Sequence, residues 1–70
     1  MIIDLHHIGK KIKQARLGNK KTQQQIADQC AISKSLLSKI ENGQTSSAVA
    51  TLSKISEALD VPLSWVLDDH

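Results

Sequence analysis

The chain holds a single cysteine, Cys30, so no internal disulfide can form and a reducing compartment is the default. No apolar run approaches the ~18 residues that a membrane-spanning helix needs. The opening MIIDLHHIGKK has neither a basic leader nor a long apolar stretch, so a signal peptide is not expected and a cytoplasmic location is. Period-2 alternation, internal repeats, low-complexity tracts and internal linkers are absent, which argues against strands and repeat folds. No glycine-rich phosphate loop occurs, and no serine is matched with the histidine and carboxylate that an activated nucleophile requires. An enzyme is therefore not expected, and no catalytic residue is nominated. His6 and His7 are adjacent, so on a helix they point in different directions. With one distant cysteine they give no zinc spacing, and neither a metal nor a cofactor is expected.

The charge is unevenly placed. The net value is only +2, but residues 10–39 carry Lys10, Lys11, Lys13, Arg16, Lys20, Lys21, Lys34 and Lys39 against Asp28 alone. Residues 40–70 carry Glu41, Glu57, Asp60, Asp68 and Asp69 against Lys54. One end can attract phosphate and the other cannot.

Apolar residues recur at helical spacing along the whole chain. Asp4 can cap a first helix whose inward stripe is Leu5, Ile8, Ile12 and Ala15, with Gly18-Asn19 as its stop. Thr22 caps a second helix and Gln25 completes a capping box; Ile26, Ala27 and Cys30 form its buried stripe. Ala31-Ile32-Ser33 is a turn, and Ser33 caps a third helix that runs to about Asn42 and is ended by Gly43. This helix region buries Ile32, Leu37 and Ile40. A polar loop follows, with Ser46 or Ser47 as the expected cap of a fourth helix carrying Val49, Leu52, Ile55 and Leu59. Val61-Pro62 breaks the chain before a short last helix, Leu63 to Leu67, which returns Trp65 and Val66 to the core. The expectation is one all-α, five-helix domain over residues 1–70, small for a single core. Cys30 reads as core filler, and Trp65 as core or a dimer contact.

The third helix presents Lys34, Ser35, Ser38 and Lys39 outward. A short helix with small, polar and cationic residues on one face suits a DNA major groove. Lysine can donate to guanine O6 and N7, and serine can pair with a donor or an acceptor. Leu36 is the apolar exception. It either touches a thymine methyl or packs on a helix flank or a dimer partner. The expected base-reading set is Lys34, Ser35, Leu36, Ser38 and Lys39.

Thr22-Gln23, Ala27, Ile32, Ser33, Glu41 and Gly43, with Ile8-Gly9 and Arg16 upstream, resemble the lambda-repressor/Cro-like (XRE) helix-turn-helix family over about residues 8–67. The resemblance implies a lambda-repressor-like bundle with the helix-turn-helix at about residues 23–42. It implies a sequence-specific, double-stranded-DNA-binding transcriptional regulator, with repression the expected sign, acting as a homodimer on a palindromic operator. Gln23 resembles a clamp to phosphate or an outer base, and Asn42 a residue that grips the DNA backbone. Arg16, Thr22, Gln23, Ser33 and Asn42 make up the expected phosphate-binding set. Arg16 and Glu41 also resemble the family's partly buried ion pair. The alternative is an antitoxin or coactivator-type module whose partner is a protein. Three positions depart from the family pattern. Ala31 stands at a turn position usually held by glycine, and Lys20 stands where glycine often ends the first helix, leaving that role to Asn19. Ser47 replaces a frequent proline.

Overall fold

Four successive helices end in the same hydrogen-bond pattern, and that pattern sets how the chain turns between them. The computed structural model describes residues 4–68 as α1 (Leu5–Gly18), α2 (Gln23–Cys30), α3 (Lys34–Glu41), α4 (Val49–Ala58) and α5 (Leu63–Leu67), with no strand among the described residues. After α1, Lys21 N–H donates to Arg16 O and Lys20 N–H to Leu17 O. The equivalent bonds after α2 run from Ile32 to Ala27 and from Ala31 to Asp28. Gln44–Lys39 and Gly43–Ile40 close α3; Val61–Ser56 and Asp60–Glu57 close α4. Paired bonds of this kind need one left-handed residue at each helix end, where glycine costs least. Only Gly43 (φ 68°) is a glycine; the others are Lys20, Ala31 and Asp60, at φ 57°, 58° and 59°.

Helix α1 stops at Gly18 with Asn19 as its cap, the expected place, but not by the expected backbone conformation. Neither Gly18 nor Asn19 takes the left-handed conformation, and Asn19 is right-handed at φ −87°. Its side-chain amide instead donates to Ala15 O and Leu59 O, both at 2.9 Å, which ties the end of α1 to the end of α4.

The helix starts follow from short polar side chains. The Asp4 carboxylate accepts from the N–H groups of His6 and His7. Thr22 and Gln25 form a reciprocal capping box, and the Ser33 hydroxyl accepts from Leu36 N–H at 3.0 Å. Helix α4 departs from expectation. Its cap position is Ala48, with no side-chain bond, so neither Ser46 nor Ser47 serves.

The core is aliphatic, with Ile12, Ile26, Leu37, Ile55, Leu59 and Val66 fully buried. Val49 does not belong to it: the side chain is 64% exposed at the first turn of α4. Ile32, Leu36 and Trp65 are partly buried and pack against the core. Lys11 Nζ lies 4.3 Å from the centre of the Trp65 ring, so α5 is held to α1 by a cation over an aromatic face as well as by packing. Helix α1 approaches α3 closely at Gly9, where the absence of a side chain admits the α3 backbone. The α1–α3 contact supports α3 from behind.

Candidate nucleic-acid interface

Helix α3 is divided along its length by burial. Leu37, Ile40 and Glu41 face inward, while Lys34, Ser35 and Lys39 are exposed and Ser38 is half-buried. The turn that aims this face contains left-handed Ala31 (φ 58°, ψ 40°), which an L-residue adopts at a cost of about 1–2 kcal/mol. Ile32 then anchors the turn against the core, and Ser33 starts α3.

Gln23, Lys34, Ser35, Ser38, Lys39 and Gln44 line one shallow cleft of about 450 Å³. Five of these are residues nominated from the sequence. Gln44 is the addition. Its backbone N–H donates to Lys39 O at 2.9 Å, folding the loop back over the last turn of α3. The signal for it was Gly43: a left-handed glycine closing a helix places the next residue over the one five positions earlier. Leu36 lies outside this lining and is half-buried against the core, which favours flank packing over contact with a thymine methyl.

Arg16 is spent on structure. Its Nε donates to Glu41 Oε2 at 2.7 Å and its Nη2 to Glu41 Oε1 at 3.1 Å, while Nη1 donates to Lys21 O at 2.9 Å. The two residues are 8% and 6% exposed. A fork-to-fork pair of this geometry gives directional, charge-assisted bonds that hold α1 to the end of α3. Three of the five guanidinium N–H donors are engaged and the residue is buried, which argues against the expected phosphate contact by Arg16.

Glu41 reaches a third helix as well. Gln23 Nε2 donates to Glu41 Oε1 at 3.2 Å, which orients the Gln23 amide at the start of α2. The second amide N–H and the carbonyl oxygen of Gln23 stay free of this bond and can serve the cleft. Thr22 and Ser33 are exposed, and each hydroxyl oxygen accepts a helix-capping bond. The hydroxyl protons are therefore left to donate outward, as contact with a phosphate oxygen requires. Asn42 is exposed just beyond α3.

Cys30 is buried on α2, and burial pushes its thiol above the ordinary range, with nearby Lys54 opposing the shift. That is the state of an unreactive core filler. Among the described residues no three of His, Cys, Asp and Glu gather into a metal-holding group. No helix there is long and apolar enough to cross a membrane.

The model of a family described as helix-turn-helix (HTH_3) matches residues 12–66. The chain belongs to this family. The lambda-repressor/Cro-like character read from the sequence is that of its helix-turn-helix relatives. The chain is 38% identical over 63 residues to the HTH-type transcriptional regulator SinR of Bacillus subtilis (strain 168). That match covers 89% of this chain but 57% of SinR, so the chain spans little more than half the length of its curated relative. A crystal structure of the master regulator for biofilm formation SinR in complex with DNA is similar at 39% identity, with a TM-score of 0.80. It covers 87% of this chain and 98% of that one. A SinR protein/SinI protein complex is similar at 38% identity and a TM-score of 0.82, covering 89% of this chain and 61% of that one.

Proposed function

We propose that this chain is a sequence-specific, double-stranded-DNA-binding transcriptional regulator, a repressor that reads the major groove with α3. The carrying observation is the cleft that gathers Gln23, Lys34, Ser35, Ser38, Lys39 and Gln44 along the exposed edge of α3. All of its donors except Gln44 sit on helices, held by the Arg16–Glu41 pair and the capped start of α2. Donors fixed in this way pay little ordering entropy on binding. The similarity to SinR, a transcriptional regulator solved in complex with DNA, supports the same reading.

In this mechanism Lys34, Ser35, Ser38 and Lys39 meet base edges. Thr22, Gln23, Ser33 and Asn42 hold phosphates and so set the register of α3 in the groove. Leu36 supports α3 from its flank. A homodimer on a palindromic operator places two such helices about one helical turn apart, ~34–36 Å. The reading carries with it a cytoplasmic location, where such a regulator meets its operator.

A second reading is a protein-interaction module of the antitoxin or coactivator kind, favoured by the similarity to SinR bound to SinI. The two separate by selection of sites from random duplex DNA, followed by affinity measurements with the mass of the complex. Specific regulation predicts an enriched palindromic site bound by two copies. It also predicts that Lys34→Ala erases discrimination worth about 1–3 kcal/mol at one base position. Weak binding with no enriched sequence would overturn the DNA reading in favour of the protein module.

A further inference from the structure

A second polar cleft, of about 460 Å³, lies between the first turns of α1 and the end of α3, and the base-reading face does not account for it. His6, Lys10 and Lys13 line it from α1, at positions i, i+4 and i+7, so they form one exposed stripe opposite the buried Ile8, Ile12 and Ala15. Asn42 lines it from the end of α3. The two sides are brought together closely: a Cβ on Gly43 would lie 2.7 Å from His6 Nδ1, so the His6 ring sits against the turn that follows Asn42.

The carboxylates of this cleft are already committed. Asp4 accepts from the N–H groups of His6 and His7 as the cap of α1. The Glu41 side chain is 1% exposed and paired with Arg16. His7 is turned toward α5, where its Nε2 bonds the Asp68 carbonyl. Among the described residues the one salt bridge is Arg16–Glu41, so neither Lys10 nor Lys13 is in direct contact with a carboxylate there. What remains facing solvent is a row of donors: two ammonium groups, an imidazole and a side-chain amide. Such a row suits a linear polyanion, with one charged oxygen met per turn of helix.

We infer that His6, Lys10 and Lys13, with Asn42, form a second phosphodiester-docking track along α1, which grips the DNA backbone beside the groove that α3 enters. The inference rests on the DNA reading proposed above. It supplies the contact from α1 that Arg16 does not make. Asn42 joins the two surfaces, because it follows directly on the helix whose Lys39 lines the reading cleft. The track carries no sequence information, since it meets phosphates and not base edges.

The test is the salt dependence of binding to the duplex selected above, read by fluorescence anisotropy between about 50 and 200 mM salt. The wild type is compared with Lys10→Ala/Lys13→Ala and with Lys54→Ala, a control that removes an exposed lysine away from both clefts. Each lost phosphate contact lowers the slope of log K against log salt by about 0.9, so the double variant is expected to lose about 1.8. The ratio of specific to non-specific affinity should stay at its wild-type value. His6→Ala should weaken binding to both sequences alike, and Lys10→Arg/Lys13→Arg should restore the slope. All the substituted positions are exposed, and circular dichroism and a thermal melt confirm an intact fold. A double variant that matches Lys54→Ala in slope and affinity, while the wild type binds its site specifically, would overturn the α1 track and leave the DNA reading standing. A wild type that binds no duplex would overturn both. Binding of an acidic peptide, lost in the double variant while duplex binding persists unchanged, would reassign the cleft to a protein partner.

Discussion

Gly9 of α1 faces Glu41 of α3 across a gap that no side chain can occupy: a Cβ at position 9 would lie 2.5 Å from the Glu41 carbonyl oxygen. In an open helix, replacing glycine by alanine gains roughly 0.5–1 kcal/mol from reduced chain entropy. At position 9 the sign should reverse, because the obstructing atoms are α3 backbone and cannot rotate away. Gly9→Ala is expected to cost about 1–3 kcal/mol in urea unfolding, or more if α3 is displaced. Gly18, at the end of the same helix, has nothing within 4 Å of its Cβ position. Gly18→Ala should therefore stabilise by about 0.5 kcal/mol, and equal effects at the two sites would contradict the close α1–α3 approach.

The Arg16–Glu41 pair is buried enough for its loss to be asymmetric. Removing one partner strands the other charge, at a cost of about 3 kcal/mol. Arg16→Ala should show that loss in a thermal melt, and a melt unchanged from wild type would remove the pair's structural role. Arg16→Ala/Glu41→Ala together should cost less than the sum of the single changes, which a double-mutant cycle measures directly.

Ala31 is left-handed where glycine would fit without strain. The left-handed conformation costs alanine about 1–2 kcal/mol, and the extra freedom of an unfolded glycine takes back about 0.4–1. Ala31→Gly should raise the urea midpoint by the equivalent of about 0.5 kcal/mol, with an unchanged slope. A fall in the midpoint would mean that the Ala31 methyl makes a compensating contact.

Cys30 links stability to alkaline pH. Burial raises the folded thiol above its unfolded value, so the fold holds the neutral form more strongly than the unfolded chain does. The associated stability is fully present below the unfolded thiol pKa. It is lost as pH rises from there through the raised folded value. Urea unfolding across neutral to alkaline pH should show this loss in the wild type and a flatter profile in Cys30→Ser. Coincident slopes for the two proteins would exclude the thiol as the cause.

What was legible in the sequence was what is decided within one turn of chain. Asp4, Thr22 and Ser33 start helices because a short acceptor meets N–H groups two or three residues on, and that can be read from the residues alone. The stops were less legible. Lys20 and Asp60 turn left-handed because the paired closing bonds outweigh the cost of a Cβ there, and no residue type announces that balance. Helix α4 begins at Ala48 without a side-chain cap, although two serines stood ready just before it. At the candidate site, Lys34, Ser35, Ser38 and Lys39 could be placed on one face by spacing. Gln44 enters the same cleft only through the fold of a loop. The α1 cleft was hidden for a related reason: it exists because Gly9 lets α3 come close, and it joins residues more than 25 positions apart.

The carboxylate of Glu41 is shared by Arg16 on α1 and Gln23 on α2 while belonging to α3 itself. One group thus sets the relative positions of α1, α2 and α3, the three helices of the proposed DNA interface. On the proposed DNA reading, a screen for altered operator preference should recover substitutions at Arg16, whose guanidinium is turned to Glu41 and Lys21. Interior variation is then a route by which related regulators can drift apart in target choice while their reading faces stay the same.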